Sequence, residues 1–190
     1  HVGSGREVSG KTGFAHLFEH MMFQRSENVG EDQLFKYIEG AGGELNGFTS
    51  NDCTTYFEVV PKNALEMCMW VESDRLGYLI NTVTPSSLAN QQNVVQNEKR
   101  QGEDNMPYGF TDYVIEKNLY PAGHPYSWEV IGEMEDLKNA TIDDVKAFHE
   151  KYYVPNNATV VVSGDFAADS VKALIEKYFG EIPSGMLSQI

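Results

Sequence analysis

The order of apolar and polar residues predicts several helices and one hairpin. Residues 12–23 are apolar almost all round, a pattern typical of a helix that is buried on every side. Residues 45–48 and 54–60 are rich in β-branched and aromatic side chains on either side of a polar turn, which predicts a β-hairpin. The run 158–163 predicts one further strand. Periodicity and capping signals predict helices at residues 31–39, 63–76, 85–101, 111–120, 141–153 and 169–179.

This set of elements favours the α+β class, with helices packed on an antiparallel or mixed β-sheet. The chain contains no internal repeat, no low-complexity tract and no Pro/Ser-rich linker, so we expect residues 1–190 to form a single domain. Residues 1–4 resemble the end of a strand that enters a glycine-rich loop. We therefore expect this domain to be a fragment of a longer protein.

Composition and charge exclude several classes of protein. With 41% apolar residues among 190, the chain has enough material for a core, which argues against disorder. Its 28 acidic residues against 14 basic ones give a net charge of -14, which argues against nucleic acid as a partner. No apolar stretch approaches the ~18 residues of a membrane span. No targeting segment is visible, and the compartment stays open, with the bacterial periplasm or secretion as the leading expectation.

Three polar side chains interrupt the otherwise apolar first helix. At 100° per residue, His16, Glu19 and His20 fall within an arc of roughly 100°, so they form one stripe. Burying unpaired imidazole and carboxylate groups costs several kcal/mol, on the order of magnitude known for polar groups. A zinc ion satisfies such a stripe, because histidines at positions i and i+4 can point at one metal. The alternative is an ordinary stripe that faces solvent.

A third metal ligand must come from another element, and a carboxylate is the common partner of a histidine pair at catalytic zinc. Glu98 follows the apolar pair Val94 and Val95 on the helix predicted after residue 85, and it is the strongest candidate. Glu103 is its competitor, although it lies beyond the helix-breaking Gly102.

The sequence His16-Leu-Phe-Glu-His20 has the H-x-x-E-H order of the inverzincin metallopeptidases. The chain resembles the pitrilysin/insulinase family of zinc metallopeptidases, and the resemblance covers nearly its whole length. A fold of the mitochondrial processing peptidase type is thereby implied, as the N-terminal catalytic domain of a multi-domain enzyme. The blocks that carry the resemblance are residues 13–23, 42–49 with Asp52 and Thr54, 94–100, 104–109, 124–126 and 164–165.

The resemblance implies a role for each residue of the site. His16 and His20 would bind one zinc ion, Glu19 would be the general base, and Glu98 occupies the position of the third ligand. Many relatives carry a second glutamate seven residues before that ligand, whereas this chain has Gln91. An amide there could still donate a hydrogen bond to the metal site.

The family also binds substrate as an added strand along the edge strand that matches residues 43–49. Asn46 and Phe48 are therefore the candidates for substrate contact, and the alternative is that Phe48 belongs to the core and Asn46 to a turn. Homologous C-terminal domains, or a partner chain, would complete a closed chamber around the peptide.

These observations predict a zinc-dependent endopeptidase that hydrolyses extended peptides or unfolded polypeptides. The metal would polarise the scissile carbonyl, and Glu19 would activate the attacking water. One alternative is a catalytically silent homologous subunit that acts as a scaffold, which the complete set of ligands and base argues against. Another is a specific presequence-type processing peptidase, since an acidic protein favours basic peptides.

Overall fold

The computed structural model describes residues 1–186, which fall into two compact units. The first unit comprises His1–Met21, Phe48–Thr55 and Thr84–Val145. The second comprises Met22–Gly47, Tyr56–Val83 and the described part of Lys146–Ile190. The chain therefore passes several times from one unit to the other.

The helices confirm most of the pattern-based predictions, and the fold is α+β with a small antiparallel sheet. Each predicted helix is present to within about two residues at either end, the ordinary uncertainty of helix boundaries. A short helix that the sequence did not predict, α6, precedes α7. The elements are α1 (Phe14–Met22), α2 (Gln33–Gly40), β1 (Glu44–Thr49), β2 (Thr54–Val59), α3 (Leu65–Tyr78), α4 (Pro85–Gly102), α5 (Thr111–Leu119), α6 (Met134–Asn139), α7 (Ile142–Tyr152) and α8 (Ala168–Phe179).

Strands β1 and β2 form the predicted hairpin. The backbone N–H of Ser50 donates to the Cys53 carbonyl at 2.8 Å and closes the turn. Along β1, exposed and half-buried residues alternate, as expected for a strand with one covered face. Thr49 belongs to the half-buried set, and Asn46 and Phe48 belong to the exposed set.

The strand predicted at residues 158–163 is wrong. Within residues 1–186 the sheet contains only β1 and β2, and the segment 158–163 forms no ladder with either. Val160 and Val161 are 47% and 82% exposed. High β propensity reflects a good fit to a pleated, half-buried surface, and these valines find no such surface among the described residues.

Side-chain caps fix where two helices begin. At the start of α4, the Thr84 hydroxyl accepts a hydrogen bond from the Ser87 N–H at 3.1 Å, and Pro85 occupies the first helical position. At the start of α7, the Thr141 hydroxyl accepts from the Asp144 N–H at 3.2 Å. In return, the Asp144 carboxylate accepts from the Thr141 N–H at 3.1 Å. These two reciprocal bonds form a capping box at residues 141–144.

Each unit has its own apolar core. In the first unit α1 is buried on most sides, with Leu17, Phe18 and Met21 at most 2% exposed. Burying each such side chain contributes roughly 1.5–3 kcal/mol, so α1 is a main source of cohesion there. The second unit has a core of Val29, Leu34, Ile38 and Val71, from α2, α3 and the segment before α2. No helix among the described residues combines the length and apolarity that crossing a bilayer requires.

Gly13 allows the chain to enter α1 in close contact with the segment before α6. Its φ is +79°, a left-handed conformation that side chains rarely adopt. A Cβ atom at this position would lie 2.5 Å from the Ile131 carbonyl oxygen and 3.0 Å from Leu137 Cδ2. Both the backbone conformation and the packing therefore require glycine.

We expect Gly13→Ala to destabilise the protein more than Gly10→Ala does. Gly10 has a similar φ of +86°, but no atom lies within 4 Å of the point that a Cβ would occupy. Its substitution therefore reports the backbone penalty alone, about 1–2 kcal/mol. The clash at Gly13 should add roughly another 1–3 kcal/mol. Urea unfolding of both variants measures the difference, and equal losses would show that the close contact relaxes at no cost.

Candidate active site

Helix α1 carries the polar stripe that the sequence predicts. Its apolar residues Leu17, Phe18 and Met21 are buried, whereas the side chains of His16 and His20 are 13% and 23% exposed. Glu19 is 8% exposed. These values are well below those of ordinary surface residues, so the alternative of a stripe that faces solvent is wrong.

Glu98 of α4 lies against both histidines. Its Oε2 is 3.2 Å from His20 Nε2 and 3.9 Å from His16 Nε2. Ligand atoms about 2.0–2.1 Å from a tetrahedral zinc ion are about 3.3 Å apart, which matches the shorter of these distances and is about 0.6 Å less than the longer one. Among residues 1–186 this is the one group of three or more His, Cys, Asp or Glu side chains whose ligand atoms all lie within 4.8 Å of one another.

The protonation states of these groups suit a metal. Burial lowers the pKa of His16 to about 4, with a further lowering from the neighbouring His20, so its imidazole is neutral at neutral pH. The hydrogen bond from His20 lowers the pKa of Glu98, which keeps this carboxylate ionised. Neutral imidazole and ionised carboxylate are the forms that bind zinc, and the residues therefore fit that ion.

Glu19 lies beside this group and is held by a residue that the sequence did not indicate. The Thr49 hydroxyl, at the end of β1, donates a hydrogen bond to Glu19 Oε2 at 2.5 Å. Burial raises the pKa of Glu19, and the bond from Thr49 opposes that rise. Alternation along β1 places Thr49 on its covered face, but the pattern alone does not reveal which helix it meets.

Glu103 has a different partner. Its carboxylate accepts a hydrogen bond from Lys99 Nζ, which also donates to Glu129 at 3.1 Å. Because Lys99 is only 7% exposed, its buried positive charge requires a carboxylate partner, and this ion pair keeps Glu103 beside Lys99. The geometry favours Glu98 over Glu103 as a metal ligand.

Gln91 is 5% exposed on α4, two turns before Glu98. His16 Nδ1 is buried and has no hydrogen-bond partner among the described residues, so the Gln91 amide does not bind this nitrogen. A role of Gln91 at the metal site stays a prediction.

The two candidates for substrate contact lie on the exposed face of β1. Phe48 is 52% exposed, so the alternative that it belongs to the core is wrong. Asn46 is also exposed, and its Oδ1 accepts a hydrogen bond from the Gly47 N–H at 2.9 Å. Both side chains are accessible, and their contact with substrate stays a prediction.

Known proteins are similar to this chain in sequence and in fold. Zinc protease PqqE of Helicobacter pylori is 35% identical over 178 residues, which cover 94% of this chain and 39% of that protein. The crystal structure of a protease from Helicobacter pylori matches with a TM-score of 0.92 and 33% identity, over 100% of this chain and 44% of that one. The periplasmic protease PqqL of Escherichia coli shares the fold, with a TM-score of 0.87 and 24% identity, over 100% of this chain and 21% of that one.

Two family models match the chain. The model described as insulinase (peptidase family M16) matches residues 1–123, which include α1, β1 and α4 with all four residues of the candidate site. The model described as the peptidase M16 inactive domain matches residues 139–189. The chain spans about 39% of the length of the curated zinc protease named above. Because the first model covers well over half of its residues, the chain belongs to the insulinase family of peptidases, M16.

Proposed function

We propose that this chain is the catalytic domain of a zinc-dependent endopeptidase that hydrolyses extended peptides or unfolded polypeptides. The observation that carries the proposal is the convergence of His16, His20 and Glu98, with the buried carboxylate of Glu19 beside them. The zinc protease relatives support the same chemistry. Since the chain spans only part of their length, we propose that it acts as one domain of a longer enzyme.

His16, His20 and Glu98 would hold one zinc ion. A bound ion supplies positive charge that polarises the scissile carbonyl and acidifies the attacking water. The three ligands come from two helices whose positions are fixed by burial and by caps, so the site needs little rearrangement to receive the metal.

Glu19 would move the proton. It lies on the same stripe as the two histidines but is absent from the group of converging ligand atoms, so its carboxylate is free to act as a base. Thr49 donates to Oε2, which orients the carboxylate and leaves Oε1 for the water. Burial raises the pKa of Glu19, which makes the carboxylate a better proton acceptor from water, and the carboxyl group formed in that step would return the proton to the leaving amine.

We further propose that an extended peptide pairs with β1, where Asn46 and Phe48 present exposed side chains. Main-chain hydrogen bonds along a strand give affinity with little dependence on sequence, as an enzyme of unfolded polypeptides requires. Homologous C-terminal domains or a partner chain would enclose the peptide. The fold neighbour named as a periplasmic protease is consistent with a periplasmic location.

A presequence-type processing peptidase is the alternative that one observation favours. The net charge of -14 would attract basic peptides. Comparing the hydrolysis of a basic peptide and of an acidic peptide of equal length separates the two functions. A general peptidase would show only a small preference for the basic peptide, and added salt would remove that preference.

We expect Glu98→Gln to weaken zinc binding by roughly 100-fold or more, because the charged ligand is lost. Glu103→Gln is the matched control and should retain zinc, since Glu103 is paired with Lys99. Chelator competition followed by metal analysis measures both affinities. If Glu103→Gln lost zinc and Glu98→Gln retained it, Glu103 would be the ligand.

We expect Glu19→Gln to retain zinc and the fold but to lose most peptide hydrolysis, by roughly 10²–10⁴-fold, because an amide cannot accept the proton. A quenched-peptide assay of the zinc-loaded enzyme, with metal content measured in parallel, provides the test. Substantial hydrolysis by the metal-replete variant would rule out Glu19 as the base. Loss of zinc would instead make Glu19 a ligand.

We expect Thr49→Val to lower kcat by roughly tenfold, because the Glu19 carboxylate loses its orienting hydrogen bond while the side-chain volume is kept. Thr49→Ser retains a hydroxyl and should restore most of the rate. Zinc content should be equal in the two variants. Equal rates for Thr49→Val and Thr49→Ser would show that the hydroxyl has no part in the reaction.

A further inference from the structure

A buried carboxylate lies at the start of helix α1. Glu7 is only 6% exposed, although it is seven residues before the helix begins. Its Oε1 accepts a hydrogen bond from the Ala15 N–H at 2.8 Å, and its Oε2 accepts from the Gly13 N–H at 2.9 Å. The indole of Trp128 donates to the same Oε2 at 3.2 Å. The proposed function makes no use of this carboxylate.

These contacts give Glu7 the role of a helix cap. The first N–H groups of a helix have no partner within the helix, and α1 has no acidic residue in its first turn. An ionised carboxylate satisfies these donors and interacts favourably with the positive end of the helix dipole. Unlike Thr84 and Thr141, which cap helices from the adjoining position, Glu7 reaches α1 from a separate segment.

The ionised form is the one that fits the contacts. The backbone N–H groups of Gly13, Phe14 and Ala15 and the indole N–H of Trp128 act on this carboxylate, and all of them are donors. A protonated Glu7 would add one more hydrogen with no acceptor among these contacts. Burial raises the pKa of Glu7 to about 7, and the hydrogen bonds from Ala15, Gly13 and Trp128 oppose that rise. A glutamine in its place would direct an N–H₂ group at one or more of these donors.

The cap is adjacent to the first zinc ligand. Ala15, which donates to Glu7, immediately precedes His16, and His20 follows one turn later. A small rotation of the first turn of α1 would therefore change the direction of His16 Nε2 relative to Glu98. Metal affinity depends on such directions, because the ligands must converge within a few tenths of an ångström.

We infer that Glu7 is a positioning residue of the metal site: its carboxylate fixes the first turn of α1 and thereby directs His16 toward the point that His20 and Glu98 share. This inference rests on the proposed function. Glu7 touches neither metal nor substrate, and it acts only through the helix that it caps.

The experiment compares Glu7→Gln with Asp144→Asn. Both substitutions remove a carboxylate from a helix N-terminus, but Asp144 caps α7, which carries none of the proposed ligands. For each variant, zinc affinity is measured by chelator competition, the visible spectrum is recorded with Co²⁺ in place of zinc, and the metal-free protein is unfolded with urea. Circular dichroism establishes that the metal-free variants are folded under the binding conditions.

We expect both variants to unfold at a lower urea concentration than the unsubstituted chain. Only Glu7→Gln should bind zinc more weakly, by roughly tenfold, and show an altered Co²⁺ spectrum. A merely structural role would lower the unfolding midpoint and leave the affinity and the spectrum of the folded protein unchanged, and that result would overturn the inference.

If Glu7→Gln does not fold, Trp128→Phe takes its place. This substitution keeps an aromatic side chain in a position that is 6% exposed, and it removes the indole N–H together with part of the ring volume. We expect about threefold weaker zinc binding, since the backbone donors of α1 remain, and unchanged affinity would refute the inference. Failure of the unsubstituted chain to bind zinc would refute the proposed function and the inference together, whereas unchanged affinity in the variants refutes the inference alone.

Discussion

The structure depends on one constraint, that a helix buried on most sides carries a stripe of polar side chains. Helix α1 contributes Leu17, Phe18 and Met21 to the core. A rotation that turned its polar residues out to solvent would also expose these apolar side chains. Its polar groups must be satisfied by other parts of the protein. Glu98 contacts the histidines, Thr49 donates a hydrogen bond to Glu19, and Glu7 accepts hydrogen bonds from N–H groups at the start of the helix. The candidate site is thus made of the partners that α1 requires.

Local signals decide much of this long-range arrangement. The cap at Thr84 and the proline after it set where α4 begins, and the helical period then fixes which face Glu98 occupies. On the same helix Lys99 points to a different set of partners and binds Glu103 and Glu129. Adjacent residues on α4 therefore serve different purposes, one at the candidate metal site and the other in an ion pair that anchors the helix.

The sequence predicted elements and residues whose signals are local. Helix α7 has a capping box that can be recognised from four residues. The two histidines of α1 are four residues apart, a spacing that places them on one face of a helix. Thr49 and Glu7 could not be predicted, because each acts through a contact with a segment that the pattern does not specify. The prediction of a strand at 158–163 was wrong for the same reason, because a strand needs a neighbouring strand and β propensity does not specify which segment provides it. Helix α6 is too short for periodicity to reveal it.

The unequal exposure of the three proposed ligands has a consequence for the kinetics of metal exchange. The side chain of Glu98 is 50% exposed, whereas that of His16 is 13% exposed and sits on a helix held on most sides by the core. A chelator arriving from solvent therefore meets the carboxylate before the imidazoles. Of the residues that would hold the metal, Glu98 would therefore be the first that a chelator displaces, and the histidine pair the last. The dissociation rate would then depend on how freely one glutamate side chain can swing away, while the buried helix keeps the two nitrogen ligands in place for the next ion.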